Sequence, residues 1–353
     1  MKNIIKTLIV MLTSVSLFGV ANAGELGVSG TAKATFNILS GKSTAGKGIG
    51  ITNELNFTAS GELDNGYTWN YSMELDPADT AAGGAATNDD TQLTMTTPMG
   101  TLGVYVLEGG LDVEDAASQS VYSRPTDSGD PSATSDNFSI DSYNNLQYHT
   151  AAGMLPFDAQ LKVAYAPDLD TTNNSGNGAG ATHVKSATFA GNSMNAYKLT
   201  AAPIEGLAIG ASYNEFSEEG LAKNDQGAES GAYYFTYTMG PASIGYSKAY
   251  KAPIMADATT TAGATTIEYY DQTNYSIAFA ANDDLSVSYE KETSEVNYAT
   301  STTATIEQES SGVQIAYTMG GMTLALSHNN HDNIGYATNS EVDQTLIAVT
   351  MAF

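Results

Sequence analysis

The sequence predicts an all-β protein, a transmembrane antiparallel up-and-down β-barrel of about sixteen strands with long extracellular loops and short periplasmic turns. Three observations predict it. Apolar and polar residues alternate over one stretch after another, which makes strands with two unlike faces. The connections are alternately short and turn-forming, then long and polar. Beyond the N-terminal region no continuous apolar run reaches the ~20 residues a bilayer-crossing helix needs, so a membrane-embedded form has to be a closed barrel, in which every backbone group is paired.

The N-terminus reads as an export signal. MKNIIK carries two lysines and no acid, and leads into the apolar run TLIVMLTSVSLFGV and then Ala21-Asn22-Ala23. A basic start, a short apolar stretch and small residues at a cleavage position make a secretory signal peptide. Residues 1–23 are expected to be that segment, Gly24 the first mature residue, and 24–353 a single barrel domain.

The strands follow in order. Leu26, Val28, Ala32, Ala34 and Phe36 share one face, opposite Ser29, Thr31, Lys33 and Thr35. Ile51, Leu55, Phe57 and Ala59 alternate with Thr52, Glu54, Asn56 and Thr58, although Asn53 interrupts the apolar face. After Asp64-Asn65-Gly66, the residues Tyr67, Trp69, Tyr71, Met73 and Leu75 alternate with Thr68, Asn70, Ser72 and Glu74. Asn-Gly between alternating runs is a strong hairpin signal. The same rule places strands near 26–37, 49–62, 66–76, 89–97, 101–107, 140–149, 156–166, 193–202, 206–215, 230–239, 242–250, 270–280, 285–293, 308–319, 322–329 and 342–353.

Short connections carry Gly, Asn or Pro, as at Pro98-Met99-Gly100, Gly240-Pro241, Asn282-Asp283-Asp284 and Gly320-Gly321. Between them lie the long segments 77–88, 108–139, 167–192, 216–229 and 251–269. A soluble sandwich has no reason to sort its connections this way, whereas an outer-membrane barrel does.

Composition narrows the function. The chain has 13 basic and 39 acidic side chains, a formal net charge of -26, and no cysteine. Loss of Lys2 and Lys6 with the leader takes the charge to about -28, which disfavours nucleic acid and anionic surfaces as partners. Without cysteine, neither a disulfide nor a thiolate metal site can hold the fold.

Four segments then resemble the general bacterial outer-membrane porin family, across essentially the whole mature chain. They are GELDNGYTWNYSMELD (61–76), TPMGTLGVYV (97–106), SYNNLQYHT with FDAQLKVAYAP (142–150 and 157–167), and the terminal TLIAVTMAF (345–353). In the last, Thr345, Ile347, Val349, Met351 and Phe353 share a face. It resembles the terminal-aromatic signal read by the outer-membrane insertion machinery, with Phe353, Met351 and Val349 its outward residues.

The resemblance implies sixteen strands, a homotrimer in outer-membrane lipid, and a third loop folded into the lumen as a constriction. Residues 108–139 match that loop by position and length. The family's Pro-Glu-Phe-Gly-Gly text is absent; Glu108-Gly109-Gly110-Leu111-Asp112 stands there, followed by Glu114 and Asp115. The family also lines the opposite wall with arginines, but the only arginine here is Arg124, inside the loop.

A barrel of about sixteen strands leaves an aqueous channel. Its narrowest charges bias which ions pass, because ions there travel within a Debye length of the wall. Glu108, Asp112, Glu114, Asp115 and Arg124 are therefore candidate constriction residues. Strand parity adds the lumen-facing lysines Lys33, Lys162 and Lys198 beside the acids Glu54, Glu74, Asp158 and Glu290. The expected function is passive diffusion of ions and small hydrophilic solutes, with cations favoured. Solubilising outer-loop acids explain the loop charges equally well.

Tyr67, Trp69, Tyr165, Tyr213, Tyr233, Tyr289, Tyr317 and Phe353 fall outward near strand ends, where amphipathic rings suit the lipid interface. The small outward face of Gly30, Ala32 and Ala34 suits protein contact better than lipid.

Other motifs carry little. Gly41-Lys42-Ser43-Thr44 lacks the earlier glycine and the strand-to-helix setting of a phosphate loop. His328 and His331 have no further clear metal ligand. Asp168, Asp170, Asn173 and Asn174 lack the glycine and glutamate of an EF-hand. An enzyme would depend on His149, His183, His328 or His331, and no spacing fixes a nucleophile beside one of them. No cofactor is expected. A substrate-specific channel, for example an eighteen-stranded sugar porin, and a barrel-anchored surface adhesin stand as alternatives.

Overall fold

The protein, seen in a computed structural model, is described over residues 26–42, 45–76, 87–127, 137–167, 169, 193–217, 221, 225–255, 266–300 and 304–353. The expected signal segment 1–23 and Gly24 lie outside these residues, as do His183, Asp168, Asp170, Asn173 and Asn174.

Sixteen strands run in chain order: β1 (Leu26–Gly41), β2 (Gly46–Glu62), β3 (Thr68–Asp76), β4 (Thr87–Thr97), β5 (Gly100–Val106), β6 (Asn145–Thr150), β7 (Gln160–Ala166) and β8 (Met194–Ile204). The second half is β9 (Leu207–Phe216), β10 (Glu229–Met239), β11 (Ala242–Ala252), β12 (Ile267–Ala280), β13 (Leu285–Tyr298), β14 (Glu307–Met319), β15 (Met322–Asp332) and β16 (Glu341–Ala352). Each pairs antiparallel with its sequence neighbour, and β16 pairs with β1 from Thr31 opposite Ala352 to Gly41 opposite Val342. The barrel is closed, so no strand edge is left to be satisfied by water or another chain.

Polarity is inverted relative to a soluble protein. Gln308, Gln314, Gln344, Asn214, Ser230 and Glu290 are all completely buried inside. Ile51, Tyr275, Ile277 and Val313 stand outward, 64%, 54%, 50% and 56% exposed. A surface of that kind is stable only against another apolar medium.

The expected aromatics take outward places, with Tyr233, Tyr289, Tyr317 and Phe353 exposed. Tyr233 joins three aromatics not expected from sequence in a cluster around Tyr246, with ring centroids 6.3 Å from Tyr233, 5.7 Å from Phe235 and 5.1 Å from Tyr275. Toward the long-loop end the outer surface turns charged, in the pairs Lys42–Glu341 (2.8 Å), Lys248–Asp271 (3.3 Å) and Lys291–Glu309 (2.7 Å).

All sixteen expected strands are present, with differences at their ends. Residues 140–142 form a 3-10 turn instead of opening β6, and 156–159 belong to the turn before β7. Asp158 has a positive φ of 51° in that turn and is exposed. Its expected lumen-facing place on a strand is corrected: the alternation of faces begins only at the first paired residue, Gln160.

Candidate functional site

The long connection after β5 turns inward. Leu107 and Gly109 adopt positive φ, 53° and 83°, just after the strand ends, and Gln147 on β6 donates its side-chain amide to the Gly109 carbonyl. The loop then enters an apolar nest inside the barrel. Leu111 and Ile140 pack with Met194, Ala196 and Phe216, and Phe138 meets Phe216 edge-on at 4.8 Å. Each fully buried Leu or Ile contributes roughly 1.5–3 kcal/mol by leaving water.

From there the loop follows the inner wall, held by inward polar side chains. Ser247 donates to the Glu114 carbonyl (2.9 Å), Ser276 donates to the Ala117 carbonyl (2.7 Å), and the backbone N–H groups of Gln119 and Val121 donate to Ser276 and Ser288. The N–H of Tyr122 donates to Gln314 at 3.0 Å, and its ring packs beside Ala325, Leu346 and Ala348 on β15 and β16. The approach is close enough that β11 needs a glycine: a Cβ at Gly245 would fall on the Ala117 carbonyl oxygen.

Two adjacent inward acids on β13 fasten the far end. Glu290 accepts hydrogen bonds from Ser118 (2.6 Å), Ser120 and Asn274. Glu292 accepts from Thr126 and from Arg124 Nε at 3.0 Å. Arg124 also pairs with Asp115 and lies 3.9 Å from Asp127. The guanidinium side chain is 7% exposed, whereas Asp115 and Asp127 are 62% and 49% exposed. The buried arginine thus bridges Glu292 on the wall and Asp115 on the loop, and the carboxylates of Asp115 and Asp127 are the more exposed side of that cluster.

The other expected site residues take different places. Glu114 is buried: its carboxylate accepts from Val113 N–H (3.1 Å) and Asn137 N–H (3.3 Å), tying the two limbs of the loop together. Asp112 is half-buried and accepts from Asn214 at 3.3 Å; burial, then the charge of Glu114, pushes its carboxyl up to about 7. Glu108 is half-buried and its carbonyl accepts from Asn145 at 3.1 Å. Lys162 and Lys198 lie directly opposite one another on β7 and β8, where Ala164 and Ala196 mark the inward face, and Lys198 Nζ donates to the Asp112 carbonyl at 2.8 Å. Lys33 is on β1, opposite Thr52.

The loop's hydrogen bonds therefore reach from β6 to β14. Away from them, the inward residues of β1–β3 include Lys33, Glu54 and Glu74, with Thr31 donating to Glu54 at 3.4 Å. Asp127 and Glu292 were not singled out from sequence. Glu292 was legible, since it shares the inward parity of Glu290 two positions earlier; Asp127 lies in a loop where no period applies.

No protein-family model matches the chain, and no curated protein matches it. Solved structures do. OmpT, an outer-membrane protein of Vibrio cholerae, in its trimer form is 14% identical over 94% of this chain and 100% of its own, with a TM-score of 0.60. A mutant of the Rhodobacter blastica porin is likewise 14% identical, over 93% and 100%, with a TM-score of 0.59. At that identity the likeness is one of fold. The fold is the closed sixteen-stranded outer-membrane barrel. A porin is among the proteins that share this fold, and the general porin resemblance read from the sequence is consistent with it.

Proposed function

We propose that this protein is an outer-membrane porin of a Gram-negative bacterium, exported by residues 1–23 and open to passive diffusion of ions and small hydrophilic solutes, with cations favoured. The observation that carries this reading is the inverted barrel with one loop bonded along its inner wall, leaving Asp115 and Asp127 exposed beside a sequestered Arg124. Fixed acids at a narrowing raise the local concentration of cations and repel anions. Asp112 adds charge when ionised, and Lys33 is the basic residue on the wall that the loop leaves clear.

Homotrimer formation through β1 and β2 accords with the small outward residues Gly30, Ala32 and Ala34. Outward, exposed Asn53, opposite Ala32, is better covered by protein than by lipid. Val349, Met351 and Phe353 serve as the outward face of the terminal insertion signal. A channel is favoured over an enzyme: among the described residues His149 bonds to Gln147 at 2.7 Å, with no hydroxyl that it could activate as a nucleophile bonded to it.

Purified protein in planar bilayers tests the reading. Stepwise conductance with a reversal potential of cation-selective sign under a salt gradient is the expected result. A closed bilayer overturns the channel, and a reversal potential of the opposite sign overturns the charge argument.

A further inference from the structure

We propose that the lumen holds a binding site for a small phosphate-type dianion, formed by His149, Lys162, Lys198 and Ser212 beneath the root of the inward loop. The site deepens the porin reading and rests on it for its biological meaning.

The four residues form one row. His149 on β6 is the cross-strand partner of Lys162 on β7, Lys162 of Lys198 on β8, and Lys198 of Ser212 on β9. All lie on the inward face, in step with buried Gln147, Ala164, Ala196 and Asn214. Directly opposed side chains sit ~4.5–5.5 Å apart at Cβ, so the two lysines and the histidine lie side by side on the wall, with His149 Nε2 held by Gln147 at 2.7 Å and the Lys198 ammonium by the Asp112 carbonyl. The loop crosses just above, where Gln147 holds the Gly109 carbonyl and Lys198 the Asp112 carbonyl.

Two features of the row lack a counterpart. Lys162 has no hydrogen-bond or ion-pair partner among the described residues, although it faces Lys198 directly. Like charges directly opposed destabilise a sheet, and nothing beside Lys162 offsets this. Ser212 is 7% exposed, and its hydroxyl is buried without a partner. A tetrahedral dianion meets both needs: its charge matches two ammonium groups, and one oxygen can accept from the serine hydroxyl. In a chain this acidic, two adjacent inward lysines beside a histidine are a local concentration of basic groups, with the Asp112 and Glu114 carboxylates bearing on Lys198 from the loop above and, among the described residues, none bearing on Lys162.

The test is phosphorus NMR line broadening of inorganic phosphate titrated with the detergent-solubilised protein, followed by phosphate inhibition of potassium chloride current in bilayers. Saturable broadening in the millimolar range and partial current block are expected. Lys162→Gln should weaken both at least tenfold, while Lys162→Arg retains them. Lys248→Gln, which removes an outward base, should leave them unchanged, and acetate in place of phosphate should bind weakly. Absence of saturable broadening in the unaltered protein, or equal broadening with Lys162→Gln, overturns the site. Absence of conductance falls on the porin reading instead, because the NMR measurement needs no channel.

Discussion

Phe353 and Gly30 close the barrel together. The N–H of Gly30 donates to the Phe353 carbonyl at 2.8 Å and the N–H of Phe353 donates back at 3.0 Å. The phenyl ring covers the glycine: a Cβ at position 30 would come within 2.9 Å of Phe353 Cε2 and 2.6 Å of the Glu54 carbonyl oxygen. The terminal aromatic is therefore packed against the first strand, and residue 30 must be small for it to be so.

Gly30→Val should accordingly weaken closure. Overpacking of this kind costs about 1–3 kcal/mol. The folded, heat-modifiable band on a semi-native gel should be lost at a lower temperature than in the parent protein. Gly48→Ala, where a Cβ meets nothing within 4 Å, should leave the transition in place.

Arg124→Ala should free the loop without unfolding the barrel. It leaves the 3%-exposed carboxylate of Glu292 without its guanidinium partner, and breaking a buried pair costs about 3–5 kcal/mol. The strand ladders do not depend on it. Limited proteolysis within 108–139 should become faster while the β-sheet circular dichroism signal is unchanged, and single-channel recordings should show added fluctuation. Combining Arg124→Met with Glu292→Met should restore resistance to the protease.

Asp115→Asn with Asp127→Asn should reduce cation preference. A unit charge ~4 Å from an ion's path in water is worth ~1 kcal/mol, or roughly fivefold, so removing both should lower the permeability ratio by at least roughly fivefold. The reversal potential measures this. An unchanged value would mean the ions do not pass these acids.

Asp112 makes selectivity depend on pH. Its carboxyl is pushed up to about 7, so it is largely charged at pH 8 and largely neutral at pH 6. Cation preference should drop across that interval, and Asp112→Asn should remove the step. The linkage runs in the same direction for stability. A carboxyl raised from its unfolded value favours the docked loop in acid, with that contribution lost as pH rises from about 4 through 7. Protease resistance of the loop should therefore be greater at pH 6 than at pH 8.

The strands were legible because each separates two unlike media, which imposes a two-residue period on its side chains. That same period placed Lys162 and Lys198 on the inward face, where they are found. It failed one step beyond the ladder, at Asp158, because a turn residue has no face. Within 108–139 no period existed to separate neighbours, so Glu114, which ties the loop limbs, and Asp115, which meets the lumen, looked alike in sequence. What distinguishes them is the wall behind, where Ser247 and Glu292 come from strands more than a hundred residues away.

The pairing of β1 with β16 joins segments more than three hundred residues apart. Contacts at such separation are slow to form because loop-closure entropy must be overcome first. Until they form, the sheet has two bare edges that can recruit another copy. A product that lacks β16 would therefore keep the edge of β1 bare, and its exposed ladder would favour association over closure.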